Sequence, residues 1–124
     1  MPSEADVRPA KRRPGSGCRF LVTGAQGFIG SWVVKNLIEA GDAVVALDRT
    51  DQPERFTGLL PAHDLAAVRF VRADINDLRL LDRLIGGEGI THVIHLAGLQ
   101  TPECRARPLE AAAVNVTGTL TVFE

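Results

Sequence analysis

The chain has 124 residues, 45% hydrophobic and 23% charged, enough for one modest core, a single domain or part of one, with no room for a second. Fourteen Lys and Arg against fifteen Asp and Glu leave a net charge of -1, so no global field argues for nucleic acid or an anionic membrane surface. Cys18 and Cys104 lie far apart and outside any CxxC or Cys/His spacing, which suggests neither a disulfide framework nor a metal site and fits a reduced, cytoplasmic setting.

In chain order, residues 1–17 read as a disordered leader. Lys11, Arg12 and Arg13 stand beside Pro14 and Gly15, and no apolar region follows them as a secretory signal requires. A solvated leader is favoured over a short nucleic-acid arm. From residue 18 onward, short apolar runs alternate with segments of helical spacing. "CRFLVTG" is a buried strand bounded by glycine. "FIGSWVVKNLIEAG" is a helix whose expected inner stripe is Ile29, Val33 and Leu37, widened by Trp32 and Val34, with Gly41 at its stop.

"AVVALD" is the second strand and "AVRFVRAD" a third, less buried one, with Val68 and Phe70 alternating against Arg69 and Arg72. "INDLRLLDRLIGGEG" is a helix with Leu78, Leu81, Leu84 and Ile85 on one side, and "HVIHLAG" is the fourth strand. "LQTPECRARP" reads as a loop, and from Pro108 one helix runs to the last residue. Strands alternating with helices predict an α/β fold, a Rossmann-type doubly wound parallel sheet of order 3-2-1-4.

The stretch "VTGAQGFIG" then acquires a purpose. A strand that turns at once into a helix leaves the helix's first N–H groups unpaired and its positive end facing out, which suits a pyrophosphate. Gly24 allows the turn, Gly27 admits phosphate close to the backbone, and Gly30 lets the helix pack against the strands. A glycine-rich turn with no ligand is the plainer alternative; the strand and amphipathic helix on either side favour the cofactor. Asp48, eighteen residues beyond Gly30 at the end of the second strand, suits an adenosine ribose diol and repels a 2′-phosphate, favouring NAD over NADP. An ordinary strand-end turn also uses aspartate, and Arg49 beside it is a guanidinium able to pair with a 2′-phosphate.

"TGAQGFIG", with Gly-x-x-Gly-x-x-Gly spacing, resembles the extended short-chain dehydrogenase/reductase family, the NAD-dependent nucleotide-sugar epimerases and dehydratases. "ADI" (Ala73, Asp74, Ile75), "HLAG" (His95 to Gly98) and "NVTGTL" (Asn115 to Leu120) follow in the family's order, so the resemblance covers residues from about Phe20 to the end. It implies a cofactor cradle at Gly24, Gly27, Phe28, Ile29 and Gly30, with Asp48 and Arg49 at the ribose. Asp74 would accept from the adenine amino group and Ile75 pack on its ring, while Leu96, Ala97 and Gly98 run beside the dinucleotide and Gln100 presents a polar group. Asp74 as a helix N-cap is the alternative, a role open equally to Asn76 or Asp77. Asn115 would support the active site from within its helix and touch the cofactor; His95, His92 and His63 receive no proton-transfer role, and Cys104 no chemistry.

The family's catalytic Tyr-x-x-x-Lys has no counterpart here: the chain contains no tyrosine, and its lysines are Lys11 and Lys35. Residues 18–124 are therefore expected to be the N-terminal part of an NAD(P)-binding domain, a fragment or truncated product inactive alone, its substrate domain missing. A stand-alone NAD-binding or regulatory module is the other reading. The resemblance implies a small-molecule substrate, a nucleotide sugar, for the full-length parent, and a homodimer built on the fourth helix together with the one after it; with only the first of these in this piece, Leu109, Val116, Leu120 and Phe123 are expected to be partly uncovered. No nucleic acid, membrane or metal is expected.

Overall fold

The computed structural model describes residues 17–52 and 54–124; the expected leader, apart from Gly17, lies outside them. Four strands, β1 (Arg19–Thr23), β2 (Ala43–Asp48), β3 (Arg69–Arg72) and β4 (His92–His95), form one parallel sheet in the order β3-β2-β1-β4. The predicted order is the observed one. β1 is central, with Leu21 opposite Val45 on one side and Val93 on the other, which is why its apolar run has no polar alternation.

Side chains alternating along the strands feed two cores. Val22, Val44 and Ala46 face α1 (Phe28–Glu39), while Leu21, Val45 and Leu47 face α4 (Leu78–Gly87) and the last helix. α1 buries Gly30, Ser31, Val34 and Ile38, whereas Ile29 and Trp32 of the expected stripe are 64% and 45% exposed. The inner face is thus rotated by about one residue, because the closest approach is made by the backbone at Gly30, not by the largest side chains. Gly41 ends α1 as expected: φ is +87°, its N–H donates to Ile38 O, and that of Asp42 donates to Leu37 O.

Two short helices, α2 (Glu54–Thr57) and α3 (Ala62–Leu65), fill the β2–β3 connection that the sequence pattern left open. They deliver Phe56, fully buried, and Leu60 and Leu65 to the α1 core. Asp77, not Asp74, caps α4, accepting from Leu80 N–H at 3.0 Å. α4 buries Leu81 and Leu84 but leaves Leu78 45% exposed.

The segment expected as a loop after β4 contains a helix, α5 (Thr101–Ala106), with Pro102 in its first turn. Pro108 opens α6 (Pro108–Ala112) at the predicted position, but the rod is not uniform. Residues Ala113–Gly118 form a π-helix before α7 (Thr119–Phe123). Gly118 faces Ile75, whose Cδ1 would lie 2.4 Å from a Cβ there, so the missing side chain lets the rod settle on that core residue.

Candidate dinucleotide site

A cleft of about 510 Å³ opens at the carboxyl ends of the strands, where β1 is flanked by connections running in opposite directions. Such a reversal point is where ligands bind in open α/β sheets. β1 ends at Thr23 and the chain turns through Gly24, whose φ of +66° and contact with the β4 segment both require glycine. A Cβ at Gly24 would sit 2.7 Å from Ala97 N and from Leu96 C. Gly27 N–H closes the turn onto Gly24 O at 3.1 Å, and among the described residues no side chain caps α1. The first amides of α1 are therefore left for solvent or ligand. Gly30 holds this end in place: a Cβ there would lie 2.1 Å from Gly24 O.

Asp48, at the end of β2, is tied to the glycine loop. Its Oδ2 accepts from Gln26 N–H at 2.9 Å, and its Oδ1 accepts from Thr50 N–H at 3.0 Å and Thr50 Oγ1–H at 3.1 Å. The Gln26 side chain ties the loop to the segment beyond β2, its Oε1 accepting from Gln52 N–H. A carboxylate has about four acceptor positions, so one on Oδ2 remains for a ligand hydroxyl. Arg49 also lines the cleft and forms an ion pair with Glu110 of α6 at 3.3 Å.

Asp74 lines the cleft with Oδ1 accepting from Asn76 N–H at 2.8 Å and Nδ2–H at 3.2 Å; its other oxygen has no partner among the described residues. Ile75 is 5% exposed and serves both the core and the cleft wall. Leu96, Ala97, Gly98 and Gln100 also line the cleft, as do Gly24, Gly27, Phe28, Ile29 and Gly30 at the loop. The candidate residues thus meet in one cleft, with a single exception.

Asn115 does not line the cleft. Its side chain grips the Leu99 peptide, Oδ1 accepting from Leu99 N–H at 2.7 Å and Nδ2–H donating to Leu99 O at 3.1 Å. Cys104 joins the same clamp, Sγ–H donating to Leu99 O at 3.3 Å. An amide in mid-helix competes for backbone bonds; here it is occupied by a peptide of the cleft wall, since Leu99 lines the cleft.

His95 joins this wall to the sheet. Thr23 Oγ1 accepts from the amides of Leu96 (3.1 Å) and Ala97 (3.3 Å), so its proton goes to His95 Nδ1 at 2.6 Å. Thr119 Oγ1 donates to Asn115 O at 2.7 Å and accepts from His95 Nε2–H at 3.0 Å. The network assigns a neutral imidazole with its proton on Nε2. Burial lowers its pKa below the ordinary 6.5.

Gln26, Thr50, Gln52, Arg55 and Val114 also line the cleft and were not singled out from sequence. Gln26 lay inside the glycine stretch and was readable; Arg55 arrives on α2, which no pattern announced. Among the described residues no three His, Cys, Asp or Glu gather as metal ligands, and no helix is long and apolar enough to cross a membrane.

Residues 20–124 match the model of the NAD dependent epimerase/dehydratase family. The chain belongs to this family. It is 37% identical over 114 residues to UDP-glucose 4-epimerase from Bos taurus and 40% identical over 107 residues to that from Yersinia pestis, covering 86% and 84% of this chain. It spans about a third of the length of these relatives, 33% and 31%. Among solved structures, a UDP-glucose-4-epimerase from Stenotrophomonas maltophila with bound NAD and formylated UDP-arabinopyranose superposes with a TM-score of 0.75 at 28% identity, covering 86% of this chain and 32% of that one. UDP-glucose 4-epimerase from Thermotoga maritima, with UDP-glucose, gives a TM-score of 0.72 at 30% identity over 84% of this chain and 32% of that one. Membership in the epimerase/dehydratase family gives the glycine loop and the sheet order a common origin with an NAD-dependent fold.

Proposed function

We propose that this chain is the dinucleotide-holding portion of an epimerase- or dehydratase-type oxidoreductase and that its cleft takes NAD in preference to NADP. The observation that carries the reading is the pairing of an uncapped α1 N-terminus with the Asp48 carboxylate, fixed to the same loop through Gln26 N–H at 2.9 Å. The amides and helix dipole suit the pyrophosphate; the remaining acceptor on Asp48 suits a ribose hydroxyl. Asp74, with one unpartnered oxygen, suits the adenine amino group, and Ile75 offers an apolar surface to its ring. When bound, NAD supplies a hydride acceptor, and the residues here hold and orient it.

Asn115, by clamping Leu99, sets the position of the wall that carries Gly98 and Gln100; this is a positioning role. The general acid–base pair of the reaction is not contributed by a tyrosine of this stretch, which has none. A nucleotide sugar is the proposed substrate of the whole enzyme, by kinship with the UDP-glucose 4-epimerases, and a homodimer its proposed assembly.

Calorimetric titration of the purified chain with NAD and NADP tests the reading. Asp48→Ala should weaken NAD binding by at least about tenfold, the equivalent of about 1.4 kcal/mol, with the thermal melt recorded alongside. Unchanged NAD affinity in a folded variant would remove Asp48 from the ribose site.

A further inference from the structure

Asp48 and Arg49 are adjacent and act in opposite senses on a 2′-phosphate, one repelling it and the other attracting it. A third group stands between these outcomes. Glu110, reaching over from α6, places Oε1 3.3 Å from Arg49 Nη1, while its Oε2 lies 2.6 Å from Arg107 Nη1. Arg49 lines the cleft and Glu110 does not, so the glutamate acts on the ribose end through the arginine.

We infer that Glu110 is a specificity-determining residue: by compensating the Arg49 guanidinium it withholds that charge from a 2′-phosphate and keeps the cleft selective for NAD. The inference rests on the dinucleotide reading above and names the group that tunes it. Glu110 is shared between two guanidinium groups, Arg49 and Arg107, and is presented from α6. Both side chains reach solvent, 51% exposed for Arg49 and 35% for Glu110. Exposed pairs of this kind are screened and individually weak, so the expected effect is modest, about fivefold, and it falls as salt rises.

The test measures dissociation constants for NAD and NADP on the full chain at low ionic strength, for wild type, Glu110→Gln and the double variant Glu110→Gln/Arg49→Ala. Glu110→Gln should bind NADP about fivefold more tightly and leave NAD affinity within about twofold. The double variant should lose the gain. Arg55 is the other guanidinium on the cleft wall among the described residues; a gain that survives removal of Arg49 would pass to Arg55 and overturn the assignment. A NADP/NAD ratio unmoved by Glu110→Gln, with NAD still bound, would overturn the inference alone. Failure of the wild type to bind either dinucleotide would instead overturn the reading of the cleft.

Discussion

Adding one methyl group at Gly30 should separate the packing of the loop from its chemistry. The Cβ of Gly30→Ala would lie 2.1 Å from Gly24 O and 2.9 Å from Ala25 Cα, both backbone atoms that no rotamer change can move. Ordinary contact is about 1.3 Å further from the oxygen, so the N-terminal turn of α1 must withdraw from β1. Overpacking of this kind costs up to about 3 kcal/mol, and replacing a helical glycine by alanine returns about 1 kcal/mol. The net loss is about 2 kcal/mol, or a fall in melting temperature of roughly 10 °C. Trp32, the chain's one tryptophan and part of the same helix, reports the transition by fluorescence in a urea or thermal melt. Gly27→Ala is the contrast. Its φ of -69° is ordinary and its Cβ would meet Gly24 O at 3.2 Å, so the melt should shift little while, on the proposed reading, NAD affinity falls because the methyl group would stand where the pyrophosphate approaches. A Gly30→Ala melt within about 2 °C of wild type would refute the claim that the glycine is set by backbone proximity.

Asn115→Asp keeps the side chain's shape but turns its donor into an acceptor facing Leu99 O; a loss of about 2 kcal/mol in urea unfolding is expected, with weaker NAD binding by calorimetry, and a variant as stable as wild type would dissolve the clamp. His95 is neutral in the fold with its pKa lowered by burial, so the unfolded chain takes up the proton first. Its contribution is present above the unfolded value of 6.5 and is lost as pH falls below it. The facing groups from β1 and α7 are the hydroxyls of Thr23 and Thr119 and the ring of Phe123, none of them charged. Melting temperatures between about pH 7.5 and 5.5 should therefore fall less for His95→Gln than for wild type, and equal slopes would exclude the imidazole.

The sheet order was legible because β1 and β2 are apolar runs punctuated by glycine and aspartate, and because three glycines sit where a strand becomes a helix. The candidate residues that line the cleft followed from the same punctuation, since they stand at or shortly after a strand's carboxyl end; Asn115, far beyond β4, did not. The rotation of α1 was not legible: hydrophobicity pointed to Ile29 and Trp32, while the burial is dictated by Gly30, which has no side chain to score. Helices α2, α3 and α5 have four to six residues, too few for a helical period to show. Arg55 and Glu110 took their places through tertiary approach that no local pattern encodes.

The π-helix at Ala113–Gly118 gives the last rod a property that substitution alone cannot reach. Asn115 must meet Leu99, Gly118 must meet Ile75, and Val122 must enter the core while Leu120 and Phe123 stay 67% exposed. One wide turn reconciles these directions within eight residues. Deleting a single residue there would swing everything downstream by about 100°, turning Val122 outward and a different side chain toward the sheet. In this segment the count of residues is itself structural information, and insertions or deletions are excluded more strictly than changes of side chain.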